Sequence, residues 1–465
     1  MTAAGVLLAV LVAFAPQAIE VSGSEPMARA SAAVDPCAPQ AGRLPANCVG
    51  WLPGWRPRLG VVFNDPIGKP SRQKAIVNRL IQAINHAKRR SVIRIAVYSF
   101  DRGDVLYALK KARKRGVYVQ VVVNKEVVSN GVLALQKKLG KNPNRRNFVV
   151  TCNGRCRKKG DGGNMHAKVY AFSRTGGARY LVITGSGNMT SKGVYRQWND
   201  SYAVANDKRL FDTWSNMFNQ MAHQRRTSAR QLSYTTTDRG HSYSATFSRS
   251  LASQNNQVTA SETAVNKYRA SRDAAWRRIQ RVSCTPGRGY GVDGHTAIRI
   301  AMYGMFKTRG EALAKALVRK KREGCDIKVI MSVPGGHTYK LMQKAGIPLR
   351  SADWMFDDRV ASEEDGISGF GPRFYSHLKF MAINGTYEGR STKTVWTGSE
   401  NWDTLSFANE EVVLTINDAS VYRSYIDHWN SMWNGKATHR MGIKPVEGPL
   451  DPGPLTDAKP GSSGE

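Results

Sequence analysis

Residues 93–123 read IRIAVYSFDRGDVLYALKKARKRGVYVQVVV, and residues 298–330 read IRIAMYGMFKTRGEALAKALVRKKREGCDIKVI. Each is an apolar β-branched stretch, a basic segment and a second apolar stretch. Leu106, Leu109 and Ala112 recur at helical spacing, as do Leu313, Ala316 and Leu317. Gly116 and Gly324 fall where each helix should stop. A strand–helix–strand unit implies a right-handed crossover and a parallel pairing. The likeness extends upstream, where Leu59–Asn64 (LGVVFN) resembles Tyr243–Ser248 (YSATFS). The chain is therefore read as a duplication of one α/β unit, with a pseudo-twofold interface as the natural place for a shared site.

The expected organisation is a first lobe over 55–225, a linker over 226–240 rich in Ser, Thr, Arg and Gln, and a second lobe over 241–440. Each lobe should be a mixed, mainly parallel sheet flanked by helices. A tail over 441–465, rich in Pro, Gly and Ser, should be disordered. The 465 residues suit two or three domains, and 41% hydrophobic with 22% charged residues excludes a wholly disordered chain.

Val6–Ala15 (VLLAVLVAFA) is too short for a typical membrane span and suits the apolar core of a signal peptide. Ala30-Ser31-Ala32 reads as its cleavage site, giving a signal peptide over 1–32 and an N-terminal segment over 33–54. No second apolar stretch is long enough to span a bilayer. The expectation is an exported protein. Its six cysteines fit disulfides, nearness in sequence favouring Cys37–Cys48, Cys152–Cys156 and Cys284–Cys325. Zinc at Cys152-x3-Cys156 is the lesser reading, because no second Cys/His pair stands near it.

Downstream, each copy carries the residues that point to chemistry. Met165-His166-Ala167-Lys168 is followed nineteen residues after His166 by Gly185-Ser186-Gly187-Asn188. Ser376-His377-Leu378-Lys379 is followed twenty-one residues after His377 by Gly398-Ser399-Glu400-Asn401. On a strand, His166 and Lys168 share a face, as do His377 and Lys379. One imidazole can attack phosphorus and a second can protonate the leaving oxygen. Two lysines meet the growing negative charge. Ser186, Asn188, Ser399 and Asn401 can donate hydrogen bonds to phosphate oxygens. Asp200 and Glu410 become opposite numbers when Asn199 is aligned with Asn409, and are the candidate carboxylates behind the histidines. Position alone favours His166 as the attacking group.

The duplicated His-x-Lys and Gly-Ser-x-Asn pattern resembles the phospholipase D superfamily of phosphodiesterases, over most of residues 55–440. The resemblance implies two α/β lobes, a phosphohistidine intermediate, a site shared between the lobes, and neither metal nor other cofactor. The family motif continues to an Asp, where this sequence has Ser173 and Asn384. Neither carries a charge, so any ion pair made there is missing.

Sixty-nine Lys and Arg against thirty-five Asp and Glu give a net charge of +34. Such a surface is drawn to polyanions, which fits lipid headgroups and nucleic acid alike. The leading expectation is a secreted, monomeric phospholipase D acting on phospholipid headgroup esters. The alternatives are a metal-independent secreted nuclease and a polyanion-binding protein with a decayed site. Arg155-Cys156-Arg157-Lys158-Lys159, close to His166, is expected to recruit an anionic substrate. Tyr170, Tyr195, Trp198, Tyr375, Trp402 and Phe407 are expected either to line a groove or to pack in cores.

Overall fold

A computed structural model of the chain describes residues 52–152, 154–157, 163–225, 232–238, 241–249, 268–357, 371–407 and 409–443. The expected signal peptide, the Cys37–Cys48 pair and the tail from 444 lie outside them. Among the described residues no helix is long and apolar enough to cross a membrane.

The first lobe contains β1 (Gly60–Phe63), β2 (Val92–Val97), β3 (Tyr118–Asn124), β4 (Phe148–Cys152), β5 (Lys168–Thr175), β6 (Ala178–Gly185), β7 (Gln197–Trp198) and β8 (Asp200–Val204). All but β7 form one sheet in the order β1-β8-β6-β5-β2-β3-β4. The second lobe contains β9 (Leu232–Asp238), β10 (His241–Arg249), β11 (Val282–Ser283), β12 (Ala297–Met305), β13 (Asp326–Pro334) and β14 (Leu349–Ser351). It continues with β15 (Asp353–Asp357), β16 (Gly371–Ser376), β17 (Lys379–Tyr387), β18 (Arg390–Gly398), β19 (Glu410–Asn417) and β20 (His439–Arg440). Its main sheet includes the run β10-β19-β18-β17-β12-β13-β14. Position by position this is the order of the first sheet, so the duplication read from the sequence is a duplication of topology. The quoted repeats form the parallel pairs β2–β3 and β12–β13.

The repeat helices follow from their sequences. In the helix Gly103–Lys114, Val105, Leu106, Leu109 and Ala112 are buried in a stripe, while Lys111, Arg113 and Lys114 meet the negative end of the helix dipole. Gly116 and Gly324 take positive φ just beyond their helices, a conformation glycine adopts without Cβ strain. One correction concerns the expected linker over 226–240. Residues 232–238 (LSYTTTD) carry three threonines and Tyr234, residues suited to strands, and form β9, which pairs antiparallel with β10.

Each sheet is covered on both faces. On one face of the first, Ile93, Ile95 and Val97 pack with Leu80, Leu106 and Leu109. On the other, Ala96, Val122 and Val169 pack with Trp214 and Phe218 of the helix Lys208–Ala222 and with Val412, Leu414 and Ile416 of β19. The second lobe mirrors this. Ala301 and Phe380 pack with Tyr425 and Trp429 of the helix Ala419–Asn434, together with Trp198 and Phe63 of the first lobe. The two inner cores therefore run across the lobe boundary, where β7 also pairs parallel with β16.

Candidate active site

Lys168 opens β5 and Lys379 opens β17, so each histidine stands just ahead of its strand. The two half-sites repeat each other closely. Lys168 Nζ donates to the His166 carbonyl at 2.9 Å, and Lys379 Nζ to the His377 carbonyl at 3.0 Å. The lysine nitrogens lie over the rings of Tyr98 and Tyr303, at 5.6 and 4.8 Å from the centroids. The same tyrosines pack against His166 and His377, at 5.3 and 4.9 Å between centroids. All four His and Lys side chains are no more than 3% exposed.

The lobes exchange the groups that hold the histidines. The His166 backbone N–H donates to the Glu410 carbonyl, and its Nδ1 lies 2.9 Å from Glu411 Oε1 and 3.0 Å from Oε2. The His377 backbone N–H donates to the Trp198 carbonyl, and its Nδ1 lies 2.9 Å from Asn199 Oδ1. A carboxylate only accepts, so His166 carries a proton on Nδ1, directed at Glu411. Asn199 Nδ2 donates to the Gly193 carbonyl at 3.1 Å, which turns Oδ1 toward His377 and places a proton on its Nδ1 as well. Asn64, at the end of β1, positions this segment by donating to the Gly193, Val194 and Gln197 carbonyls and accepting from the Asn199 N–H.

These contacts correct two expectations. The Asp200 and Glu410 carboxylates are not the partners of the histidine rings; the Asn199 and Glu411 side chains are. Asp200 instead accepts from the Ser186 N–H at 3.0 Å, from Tyr425 Oη at 2.6 Å and from Thr397 Oγ1. Glu410 accepts two bonds from Arg157. The connection after Gly-Ser-x-Asn is one residue longer in the first half: Ser186 meets Asn199 thirteen residues on, and Ser399 meets Glu411 twelve residues on. Aligning Asn199 with Asn409 makes that difference three residues instead of one, and so misses the equivalence of Asn199 and Glu411.

The second correction concerns the serines. Ser186 Oγ donates to Asn199 Oδ1 and accepts from the Asp200 N–H, both at 3.0 Å. Ser399 Oγ donates to Glu411 Oε2 and accepts from the Val412 N–H at 2.9 Å. Each hydroxyl is thus engaged behind a histidine rather than directed at phosphate. Asn188 and Asn401, the last residues of the two Gly-Ser-x-Asn motifs, are 3% and 6% exposed. The glycines before the serines are needed for close approach. A Cβ on Gly185 would meet the Asp200 carbonyl at 2.2 Å, and one on Gly398 the Val412 carbonyl at 2.0 Å.

Asn401 is anchored by a buried ion cluster. Arg309, 0% exposed, donates to both carboxylate oxygens of Asp273, to Glu400 Oε1 and, at 2.7 Å, to the Asn401 carbonyl. Burial opposes the Arg309 charge, but Asp273 and Glu400 outweigh it and hold the guanidinium firmly protonated. Asp403, two residues past Asn401, accepts from the Ser406 N–H at 2.7 Å, and burial lifts its carboxyl above the ordinary range.

Ser173 and Asn384 lie beyond the reach of this chemistry. Ser173 is five residues along β5 from Lys168, roughly 17 Å at strand rise. Ser173 Oγ accepts from the Val92 N–H at the far end of β2, and Asn384 Nδ2 donates to the Gly291 carbonyl. The replaced acids thus belong to the opposite sheet end. Arg155 and Arg157 are each 1% exposed and do not present a recruiting surface; Lys158 and Lys159 lie outside the described residues. Of the aromatic candidates, Tyr170, Trp198 and Trp402 pack in cores. Tyr375 stands 6.2 Å from His377 between centroids, and Tyr195 carries the Arg102 guanidinium over its ring. Tyr98 and Tyr303 hold one position in both quoted repeats, which is the sequence signal that pairs them.

A fold duplicated in one chain, with paired His-x-Lys motifs held across the lobe boundary, defines the phospholipase D class. The sequence profile described as "Cardiolipin synthase, PLD-like domain" matches residues 80–222 and 294–433, and the chain belongs to this phospholipase D family. No curated protein matches the chain. Among solved structures, phosphatidylserine synthase of Haemophilus influenzae is similar at 11% identity and a TM-score of 0.52, over 82% of this chain and 87% of that one. Polyphosphate kinase of Porphyromonas gingivalis aligns at 14% identity and a TM-score of 0.47 over 83% of this chain, which spans 53% of the kinase. Nuc of Salmonella typhimurium, a phospholipase D family member, aligns at 22% identity and a TM-score of 0.24, over 36% of this chain and 91% of its own.

Proposed function

We propose that the chain is an exported phospholipase D that hydrolyses phospholipid headgroup esters through a phosphohistidine on His166. The observation that carries this reading is the crossed support of the two histidines, each held at Nδ1 by a residue of the opposite lobe. The Nε2 lone pair of His166 attacks phosphorus, and the bond from phosphorus to the headgroup oxygen breaks. His377, protonated on Nε2, gives that oxygen its proton. His377 then takes a proton from water, whose oxygen attacks phosphorus and breaks the P–N bond, releasing phosphatidate and restoring His166. Lys168 and Lys379 offset the charge on the phosphoryl oxygens, and the Asn188 and Asn401 amides donate to them.

The assignment of His166 rests on Glu411. A carboxylate behind the ring raises the basicity of Nε2 and neutralises the cation formed on phosphorylation. The family description names a phospholipid enzyme, which supports lipid as substrate. The charge of +34 favours a nuclease on the same site as the second reading.

One competition reaction tests these readings. The protein, with EDTA, meets phosphatidylcholine/phosphatidylglycerol vesicles and DNA together, and products are read by mass spectrometry against His166→Asn. Phosphatidate from wild type alone supports the lipase. Cleaved DNA alone moves the assignment to nuclease, and neither product favours the polyanion-binding protein.

A further inference from the structure

The segment between β4 and β5 of the first lobe reaches onto the start of β19 in the second. Cys152 ends β4 and is bonded to Cys156, the residue before Arg157. Arg157 Nε donates to Glu410 Oε1 at 2.9 Å and Nη2 to Oε2 at 2.5 Å, with both side chains 1% exposed. Arg157 Nη1 also donates to Gln220 Oε1 at 3.2 Å. Around this pair, the Glu410 N–H donates to the Asn164 carbonyl and the Asn164 N–H to Asn409 Oδ1. The next residue, Glu411, holds His166, and Asn409 Nδ2 steadies Glu411 Oε1 at 3.0 Å. Among the described residues the other half shows no ion pair at this place: the residue equivalent to Glu410 is Trp198, whose indole N–H donates to Asp65.

Resting on the phosphodiesterase reading, we propose that Arg157 is a positioning residue for His166, and that the Cys152–Cys156 disulfide makes activity depend on the oxidation state of this loop by holding Arg157 on Glu410. A buried ion pair is favourable only while its geometry is kept, because either charge gains hydration by leaving. Closing a short ring removes chain freedom that would otherwise favour that departure. Reduction by a dithiol adds two electrons and two protons, converting the disulfide to two thiols and the dithiol to its own disulfide. The loop then loses its closure, the start of β19 loses its clamp, and Glu411 is no longer held at His166. Both cysteines are fully buried, so the bond forms before or as the lobes close. The chain would gain activity on folding in an oxidising compartment.

The test uses the protein with Cys152→Ser/Cys156→Ser, with Arg157→Gln and with Arg157→Lys, keeping Cys284–Cys325 intact. Thermal melting establishes the fold. Turnover is read on bis(p-nitrophenyl) phosphate, and the Nδ1–H of His166 by NMR of ¹⁵N-histidine-labelled protein. The expected result is a kcat loss of about tenfold or more in the cysteine pair and Arg157→Gln, with KM within about twofold and Arg157→Lys between them. The hydrogen-bonded His166 resonance should broaden or vanish in step. A folded cysteine variant with wild-type kcat and an unchanged His166 resonance overturns the proposal. If that variant does not fold, Arg157→Gln with wild-type kcat and resonance overturns it equally. A wild type that turns over no phosphodiester would sink the functional reading, and the resonance comparison would still decide whether Arg157 positions His166.

Discussion

Asn199 and Glu411 occupy equivalent places in the two halves, each gripped by the serine of its Gly-Ser-x-Asn motif and each holding a histidine of the opposite lobe. One is neutral and the other is an acid, so a symmetric frame carries an asymmetric site. Glu411→Gln should lower kcat about 100-fold or more, since it removes the charge that balances the His166 cation. Asn199→Asp should keep kcat within about tenfold and move the alkaline limb of its pH profile upward, because a carboxylate favours protonated His377. Steady-state kinetics across pH decide both. An equal loss from the two substitutions would contradict the asymmetry.

The proposed roles divide by leaving group. An alkyl alcohol needs the proton from His377, whereas p-nitrophenolate departs without one. His377→Asn should be nearly inactive on a phospholipid yet release a burst of p-nitrophenol from an aryl phosphodiester. His166→Asn should be inactive on both. Stopped-flow absorbance separates these outcomes, and a burst from His166→Asn would reverse the roles.

Arg309 ties the helix Lys307–Arg322 to the carbonyl of Asn401 through a cluster with no exposure at the guanidinium. Asp273→Ala leaves that charge without its main partner. Breaking a buried pair this way costs about 3–5 kcal/mol. Denaturant unfolding should register the loss, with KM rising as Asn401 loses its anchor. A stability change under about 1 kcal/mol would mean that Glu400 alone suffices.

The sequence carried the repeat, the strands that Lys168 and Lys379 open though not the placing of His166 and His377 on them, the helix stops at Gly116 and Gly324, and the Cys152–Cys156 and Cys284–Cys325 pairs. Those features are local or recur at matched spacing. The orienting residues were not legible, because their partners lie in the other lobe and one connection is a residue longer. Asn199 also looks like a turn residue and Glu411 like one of two adjacent acids. Arg157 belonged to a basic run whose usual fate is solvent, and only the tertiary fold brings it to Glu410. Tyr98 and Tyr303 were visible in the repeat, but packing over a lysine has no signature of its own.

His428 stacks on Phe63 across the lobe boundary at 4.0 Å between ring centroids. Burial, reinforced by Arg72, pushes its pKa down to about 3 from 6.5. The unfolded chain thus binds a proton below pH 6.5 that the folded chain refuses, so His428 weakens the fold as pH falls from 6.5 toward 3. His428→Phe should flatten the decline of Tm over that window relative to wild type. Identical slopes would show that His428 is not the group responsible.

The covalent intermediate is the centre of the account. Wild type and the His377→Asn and His166→Asn variants would be mixed with a phosphodiester carrying a p-nitrophenyl leaving group, quenched in base, digested and read by mass spectrometry. The account predicts a base-stable, acid-labile phosphoryl adduct on the peptide containing His166, accumulating in His377→Asn and absent from His166→Asn. An adduct on His377, or product formed with no adduct on either histidine, would contradict it.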